Sequence, residues 1–435
     1  MDKYIKIKRN KLETITIDTI FEYIFALSII FCGGTMYGVL EYAQKMGITS
    51  YTFRVLAMFA AMLLICVYLI TKKDMISKSQ IMRMLLMIAV LAIYLGITRF
   101  KIKPALEGMC IPLILFVVLC ILDDANELFT KFFDAYDNIA TLIGAVSVIF
   151  YLLGPATDIL AGTDILYYNY DHLNSGKSYY YLFFVNNDQI QNLMGHEIIR
   201  NVGIFMEAPS FANMLIFALF WELFQKEGKR KLRVTLLLIT LLTTFSTKAF
   251  LFGSMLIAAY ILFVYGEKNT IIKSLRSLII PLAGACGAVL VLIVLIKKSD
   301  TAGSMSIRMD DTYSAFVTWL QHPLFGAGFY NMEEIYNNYK WTTMKGDPTA
   351  GLINILAFGG IFMFTGFLVC LWGIWNKIKL TNKATNRVFV VMLIGMLLIS
   401  AMQYSYITLF ILAVGLEVTI GNRYETSKHK KELCI

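Results

Sequence analysis

Long runs of apolar residues alternate with shorter polar segments along almost the whole chain. The runs are long enough for helices that cross the hydrocarbon core of a bilayer, which takes about 20 residues. Two of these apolar runs, 232–265 and 387–420, each fit two short helices joined by a tight turn, or one helix with a re-entrant piece. In all, the pattern predicts twelve membrane-spanning helices near 20–40, 51–70, 81–98, 104–122, 139–154, 208–225, 232–246, 248–265, 277–297, 350–374, 387–402 and 404–420.

Composition supports a polytopic membrane protein. Hydrophobic residues make up 58% of the 435 residues and charged residues only 16%. Soluble domains contain fewer apolar and more charged residues than this. Seven prolines suit long continuous helices. We therefore predict an all-α protein with one integral membrane domain over residues 1–435. The seven cysteines show no CxxC and no metal-ligand spacing.

The distribution of Lys and Arg predicts the orientation. With a cytoplasmic N-terminus, most of the 39 basic residues fall in inner segments, as the positive-inside rule requires; only "RFKIKP" breaks the pattern. Both termini are then cytoplasmic, and the net charge of +9 does not indicate nucleic acid. Two long segments, 155–207 and 298–349, lie outside. The inner segment "DDANELFTKFFDAYDN" is amphipathic and predicted to lie along the membrane interface.

Several families of enzyme motif do not occur in the sequence. It has no P-loop, no GxGxxG after a strand, no HExxH and no Gly-x-Ser-x-Gly. Nothing in it indicates nucleotide use, so the energy for any reaction has to arrive in the substrate.

Two arginines in the outer segments, Arg200 and Arg308, are candidates for phosphate binding. A guanidinium presents a fork that binds two phosphate oxygens, and at the mouth of a helical bundle it would stabilise a leaving diphosphate. The alternative is an interfacial arginine that reaches water or pairs with a nearby acid such as Glu207 or Asp310.

The second outer segment carries candidates for sugar binding. Tyr313 and Trp319 offer aromatic faces and Asn331 an amide edge, although Tyr and Trp also collect at membrane interfaces. Arg308 opens a predicted amphipathic helix with Tyr313, Phe316, Val317 and Leu320 on one side. His322 precedes Pro323, and it either transfers protons or caps this helix.

Four stretches resemble the O-antigen polymerase (Wzy) family of bacterial surface polysaccharide pathways, in the order that this family shows them. The resemblance covers roughly the C-terminal half, and the first and third stretches are the more specific. They are "RNVGIFMEAPSFANMLIFAL" at 200–219, "LLTTFSTKAFL" at 241–251, "SIRMDDTYSAFVTWLQHPLFGAGFYN" at 306–331 and "GDPTAGLINILAFGGIFMFTGFL" at 346–368.

The resemblance implies a GT-C-like helical bundle in the bacterial cytoplasmic membrane, with two long extracytoplasmic loops. It implies transfer of a glycan from undecaprenyl diphosphate to another lipid-linked repeat unit, without metal or nucleotide. Arg200 and Arg308 would then hold the diphosphate together with Lys248, and Glu207 would accept a proton or orient Arg200. Implied partners are the lipid-linked oligosaccharide, membrane lipid, a chain-length regulator and a flippase. The resemblance leaves open whether the product is capsule, O-antigen or exopolysaccharide.

One departure from the family concerns a His-Asn pair that ligases and many polymerases carry before the tenth helix. The corresponding stretch here is "MKGDPTAGLINIL", which has no histidine. This weakens the alternative of an O-antigen ligase. A third alternative, a flippase for lipid-linked sugars, usually needs charged or broken helices near the bilayer midplane. The predicted spans here are nearly free of charge.

Overall fold

The computed structural model describes residues 16–45, 77–98, 100–169, 172–193, 196–226, 230–266, 304–340 and 351–432, with scattered positions between 58 and 71. Helices dominate these residues. They are α1 Ile17–Phe31, α2 Glu41–Lys45, α3 Lys78–Ile97, α4 Ile111–Leu122, α5 Ala125–Leu153, α6 Ala208–Phe224, α7 Lys231–Thr243, α8 Thr247–Tyr260, α9 Ser304–Gln321, α10 Met332–Tyr336, α11 Gly351–Lys377, α12 Lys383–Ile399 and α13 Tyr406–Glu432, with a further four-residue helix, Ile102–Ala105, before α4.

Helices occupy ten of the twelve predicted spans, while 277–297 and most of 51–70 lie outside the described residues. Shorter apolar helices are Leu106–Leu122, Ala208–Phe224 and Tyr406–Ile420. Within the described part of the chain, four helices are long and apolar enough to cross a membrane: Lys78–Ile97, Ala125–Leu153, Thr247–Tyr265 and Gly351–Lys377.

Residues 232–265 and 383–420 each form two helices joined by a short turn. The first pair turns at Thr244–Ser246, where the Thr244 hydroxyl accepts from the Ser246 N–H at 3.3 Å. Two helices are therefore present at each place, while the question whether both members of a pair cross the membrane stays open, since α7 has only 13 residues.

The prediction that "DDANELFTKFFDAYDN" lies along the interface is wrong. These residues form the first half of α5, a continuous helix whose N-terminus is capped by the Asp124 carboxylate. Phe129, Phe132 and Phe133 are fully buried, and Phe132 packs against Phe410 of α13 at 4.5 Å between ring centroids. Burying these rings inside the bundle removes more apolar surface from water than an interfacial position would.

The first outer segment corrects the all-α prediction, because it contains β-structure. Strands β1 Thr163–Asn169, β2 His172–Tyr179 and β3 Phe183–Asn186 form an antiparallel sheet in that order. Strands β4 Ile190–Leu193 and β5 His196–Ile199 form a separate hairpin. Bridges Thr35↔Phe205 and Leu40↔Tyr167 attach the segment to the residues that follow α1.

Charged side chains inside the bundle form ion pairs between helices. Asp137 of α5 and Glu222 of α6 are buried, and both form ion pairs with Arg233 of α7, at 3.1 and 2.7 Å. Arg83 of α3 pairs with Glu417 of α13. The expectation that the spans are nearly free of charge therefore needs correction, since Glu222 and Arg233 lie within predicted spans.

Helix α11 is broken at Gly360, whose φ of 60° and ψ of −164° are not helical. The turn after α9 fills the break with backbone hydrogen bonds. Ala327 and Gly328 donate to the carbonyls of Ala357 and Phe358 at 2.8 and 3.1 Å. In return, Ile361 and Phe362 donate to the carbonyls of Pro323 and Leu324 at 2.9 and 3.1 Å. The "HPLFGAG" stretch therefore supplies the partners that the broken helix lacks.

Two glycines make this contact possible. A Cβ on Gly326 (φ +69°) would lie 2.3 Å from the carbonyl carbon of Phe358, and one on Gly360 would lie 2.4 Å from that of Leu324. Both positions also need a left-handed backbone, which costs other residues about 1–2 kcal/mol.

We expect Gly326→Ala and Gly360→Ala each to destabilise the protein by roughly 2–4 kcal/mol, from backbone strain and overpacking together. Thermal unfolding in detergent measures the effect. Gly366→Ala is the matched control, because it lies on the same helix with nothing within 4 Å of its Cβ. Equal melting temperatures for Gly326→Ala and Gly366→Ala would contradict this account.

Candidate active site

Arg200 lies between β5 and α6 and is 8% exposed. Its Nε donates to the carbonyl oxygen of Thr244 at 3.0 Å, at the turn between α7 and α8. Its Nη1 donates to Oε1 of Gln189 at 3.2 Å. A guanidinium held at two of its donors has little rotamer freedom, so the direction of its remaining donors is set.

The electrostatics of Arg200 reflect this burial. Desolvation lowers the pKa of the Arg200 guanidinium from its usual value, and the nearby negative charge of Glu207 opposes the shift. Arginine stays protonated in proteins despite such shifts. The site therefore keeps a permanent positive charge in a poorly hydrated place, where its attraction for an anion is stronger than in water.

The N-terminus of α6 lies beside this charge. Gln189 Oε1, which accepts from Arg200, also accepts from the backbone N–H of Ala208 at 3.3 Å. Glu207 is the N-cap of α6, and its side chain makes no capping hydrogen bond. The N–H groups of this first turn are occupied, since Pro209 has none and Ser210 and Phe211 both donate to the Glu207 carbonyl at 3.1 Å. The helix dipole still gives this end a partial positive charge, so the arginine and the helix end favour the same kind of ligand.

Lys248 brings a second cation to these elements. It lies in the first turn of α8, four residues after the Thr244 carbonyl that anchors Arg200, and is 8% exposed. Its Nζ donates to Oδ1 of Asn213 on α6 at 2.9 Å. Arg200, Glu207 and Lys248 are thus gathered around the N-terminus of α6 and the α7–α8 turn.

Asn201 fixes the backbone next to Arg200, a role that the sequence analysis missed although the residue stands in the "RNVG" motif. It is fully buried. Its Nδ2 donates to Thr243 Oγ1 at 2.9 Å and to Ser147 Oγ at 3.4 Å, and its Oδ1 accepts from the Gly203 N–H at 3.0 Å. Gln189 and Asn213 were also missed, and no motif points to Gln189.

The candidates of the second outer segment lie on α9 and the residues that follow it, which pack against α11. Tyr313 and Trp319 are half-buried; Lys340 Nζ lies 4.2 Å from the centroid of the Tyr313 ring. Asn331 is the N-cap of α10 and donates to the Ala327 carbonyl at 3.1 Å.

His322 ends α9. Its backbone N–H donates to the carbonyls of Thr318 and Trp319 at 3.1 and 3.0 Å, and its side chain is exposed. These are backbone bonds, so the two roles that the sequence left open for the His322 side chain both stay predictions.

Two buried carboxylates hold α9 to the end of this segment. Asp310 accepts from the Lys340 N–H at 2.9 Å, and Asp311 accepts from the Tyr339 hydroxyl. Burial, reinforced by this hydrogen bond, raises the pKa of Tyr339 well above its ordinary value. Asp310 and Asp311 therefore have structural partners of their own.

Arg308 belongs to α9, but its side chain lies outside the described residues. Its meeting with Arg200 at one diphosphate stays a prediction. The stretch 341–350, which contains the first part of "MKGDPTAGLINIL", also lies outside the described residues. Among the residues that are described, no cluster of His, Cys, Asp and Glu could hold a metal ion.

Residues 232–368 match the Wzy_C family of O-antigen ligases. This confirms the resemblance to the O-antigen ligase and polymerase family. The Wzy_C region contains three of the four stretches that carried the resemblance; Arg200 and Glu207 precede it. No curated protein and no solved structure matches the chain. Over these residues the chain is therefore similar to a family of glycan-processing enzymes, and its apolar helices agree with a membrane-embedded protein.

We expect Asn201→Leu to destabilise the protein by about 2–4 kcal/mol, since it removes three hydrogen bonds worth about 1 kcal/mol each and leaves buried groups unpaired. Thermal unfolding of the purified protein tests this. Asn187→Leu is the control, because Asn187 is exposed and donates only to Ser175 Oγ among its described contacts. A loss for Asn187→Leu as large as that for Asn201→Leu would refute the anchoring role.

Proposed function

We propose that the protein is a polysaccharide polymerase that transfers a glycan from undecaprenyl diphosphate to a lipid-linked repeat unit at the outer face of the cytoplasmic membrane. The observation that carries this proposal is the buried, doubly anchored guanidinium of Arg200 beside a helix N-terminus and Lys248. The Wzy_C match supports the same class of glycan transfer.

The proposed architecture is a twelve-span, GT-C-like bundle with both termini in the cytoplasm. The described helices support the alternation of direction that this needs. Residues at the outer ends of α1 and α5 contact the first outer segment, as in the bond from the Tyr151 hydroxyl to the Ile199 carbonyl at 2.9 Å. At the opposite end, Lys379 after α11 donates to Asn126 at the start of α5 at 2.9 Å.

The proposed reaction is a substitution at the anomeric carbon of the donor's reducing-end sugar. A hydroxyl of the acceptor sugar forms the new C–O bond, and the bond to the diphosphate breaks with its electron pair. Arg200, Lys248 and Arg308 stabilise the charge that grows on the departing diphosphate. Glu207 takes the proton of the attacking hydroxyl. Its carboxylate acts electrostatically on Arg200 at the N-terminus of α6 and makes no hydrogen bond that caps this helix.

An O-antigen ligase is the second candidate, because the matching family model carries that description. It would use the same lipid-linked donor with a different acceptor. Purified protein supplied with a lipid-linked repeat unit alone separates the two. A ladder of longer lipid-linked chains supports the polymerase, whereas product that forms only after a different acceptor is added supports the ligase and overturns our proposal.

We expect Arg200→Ala, Arg200→Lys and Arg308→Ala each to slow chain growth about 100-fold or more, the usual effect of losing one preorganised donor. Arg200→Lys keeps the charge but cannot bond Thr244 and Gln189 together. The measurement is the rate of ladder formation at equal amounts of membrane protein. Arg387→Ala, which removes an exposed arginine of α12, is the control. Ladders of unchanged length in Arg200→Ala would rule out the diphosphate role.

We expect Glu207→Gln to lower the rate of chain growth about 100-fold, as loss of a general base does, while affinity for the lipid-linked donor changes less than twofold. Donor binding and single-turnover rate are measured separately. Glu197→Gln, at an exposed position of β5, serves as the control. Weaker donor binding with an unchanged rate would instead assign Glu207 to the orientation of Arg200.

A further inference from the structure

Helix α9 has its polarity reversed relative to a helix that faces water. Its side toward the protein carries Asp311, Ser314 and Thr318, all buried. Its outward side carries Met309, Phe316 and Leu320, which are 52, 43 and 56% exposed. A surface helix in water buries its apolar stripe and exposes its polar one, so this arrangement would be unfavourable in aqueous surroundings.

The exposed apolar surface continues beyond the helix. Leu324 and Phe325, in the turn that fills the break of α11, are 64 and 36% exposed. Together with Met309, Phe316 and Leu320 they form what we call the apolar ridge. Isolated exposed apolar residues are ordinary, but several along one helix face and the turn that follows it are typical of contact with a partner or a membrane.

The apolar ridge joins the lipid-facing side of a membrane-spanning helix. The Phe325 ring packs against that of Phe362 in α11 at 5.8 Å, and Phe362 donates to the Leu324 carbonyl. No residue from Gly351 to Gly360 is exposed, whereas Ile361 and Phe362 directly after the break are each 45% exposed. The break thus separates a protein-covered half of α11 from a half with an open apolar face.

The length of the second half indicates where the bilayer begins. Residues Ile361–Lys377 extend for about 25 Å at 1.5 Å per residue, close to the hydrocarbon thickness of about 30 Å. Lys377 at the other end is a suitable inner-interface residue. The outer boundary of the hydrocarbon then falls near Gly360, at the level of Leu324 and Phe325.

We propose that the apolar ridge is embedded in the outer leaflet, so that α9 and the turn Pro323–Gly328 lie in the membrane interface with their apolar side against lipid acyl chains. Over α9 and this turn, the second outer segment is then bound to lipid and is not a loop in water. The partner is the bilayer itself, and the inference does not depend on the proposed reaction.

Site-specific photo-crosslinking tests this directly. p-Benzoylphenylalanine is placed at Leu320, at Leu324 and, as control, at Glu333, an exposed residue of α10 in the same outer segment. The full chain is reconstituted in nanodiscs of phosphatidylethanolamine and phosphatidylglycerol, irradiated and analysed by intact-mass spectrometry. We expect phospholipid adducts at Leu320 and Leu324 and at least tenfold fewer at Glu333. Equal yields at all three positions, crosslinks between two copies, or no lipid adduct at Leu320 and Leu324 would each overturn the proposal.

Cysteine labelling gives a second, independent measurement. Leu320→Cys and Glu333→Cys are treated in the same nanodiscs with a charged maleimide that does not enter lipid, and the labelling of the parent chain is subtracted. Both positions are exposed in the protein, so only the bilayer would distinguish them. We expect Leu320→Cys to react at least tenfold more slowly. Similar rates would place the apolar ridge in water and refute the inference.

Discussion

A buried backbone N–H or carbonyl that loses its helical partner needs another one, because water does not reach it, and the break of α11 at Gly360 is built around that constraint. Four backbone bonds from the turn Pro323–Gly328 pair the groups that the break leaves open. The Tyr94 hydroxyl adds a fifth bond, to the Phe358 carbonyl at 2.9 Å. The "HPLFGAG" stretch, which helped to carry the family resemblance, is therefore a structural insert that joins the second outer segment to the bundle.

The same constraint shapes the surroundings of Arg200. A buried charge is tolerated when its donors are paired, and here a main-chain carbonyl and an amide oxygen take up two of them. Asn201, next in sequence, is held by three further bonds. Such fixed donors need little rearrangement when charge develops on a ligand, which is the condition for electrostatic catalysis. The strands of the first outer segment supply part of this frame, since Gln189 lies between β3 and β4.

Hydrophobic periodicity was sufficient to predict most of the helices, because a run of apolar residues in a bilayer has few alternatives to a helix. It failed where tertiary contacts determine whether a helix is buried or broken. The acidic stretch before residue 139 carries Phe129, Phe132 and Phe133 at helical spacing, which fits an interfacial helix and a buried one equally well. Aromatic partners on other helices select burial: Phe410 for the first two and Trp221 for Phe133. The break at Gly360 was equally hidden, since a Gly-Gly pair within an apolar run also occurs in unbroken helices. For the site, the motif pointed to Arg200 and Glu207, but Gln189 has no local signal and is identified only by its contacts.

The two outer segments differ in polarity in a way that suits a single amphiphilic substrate. The first encloses cations in a rigid, poorly hydrated frame at the end of α6, while the second turns an apolar helix face toward the surroundings. A lipid-linked diphosphate has the same division, with a charged head at the membrane boundary and an apolar chain within the leaflet. An enzyme that takes a water-soluble sugar donor does not require a helix with its apolar side outward. A flippase does not require a cation that is fixed at one end of the bundle. If both segments lie at the outer boundary, as we propose, a fixed charge beside a lipid-facing helix supports the proposed group transfer at the membrane surface over either alternative.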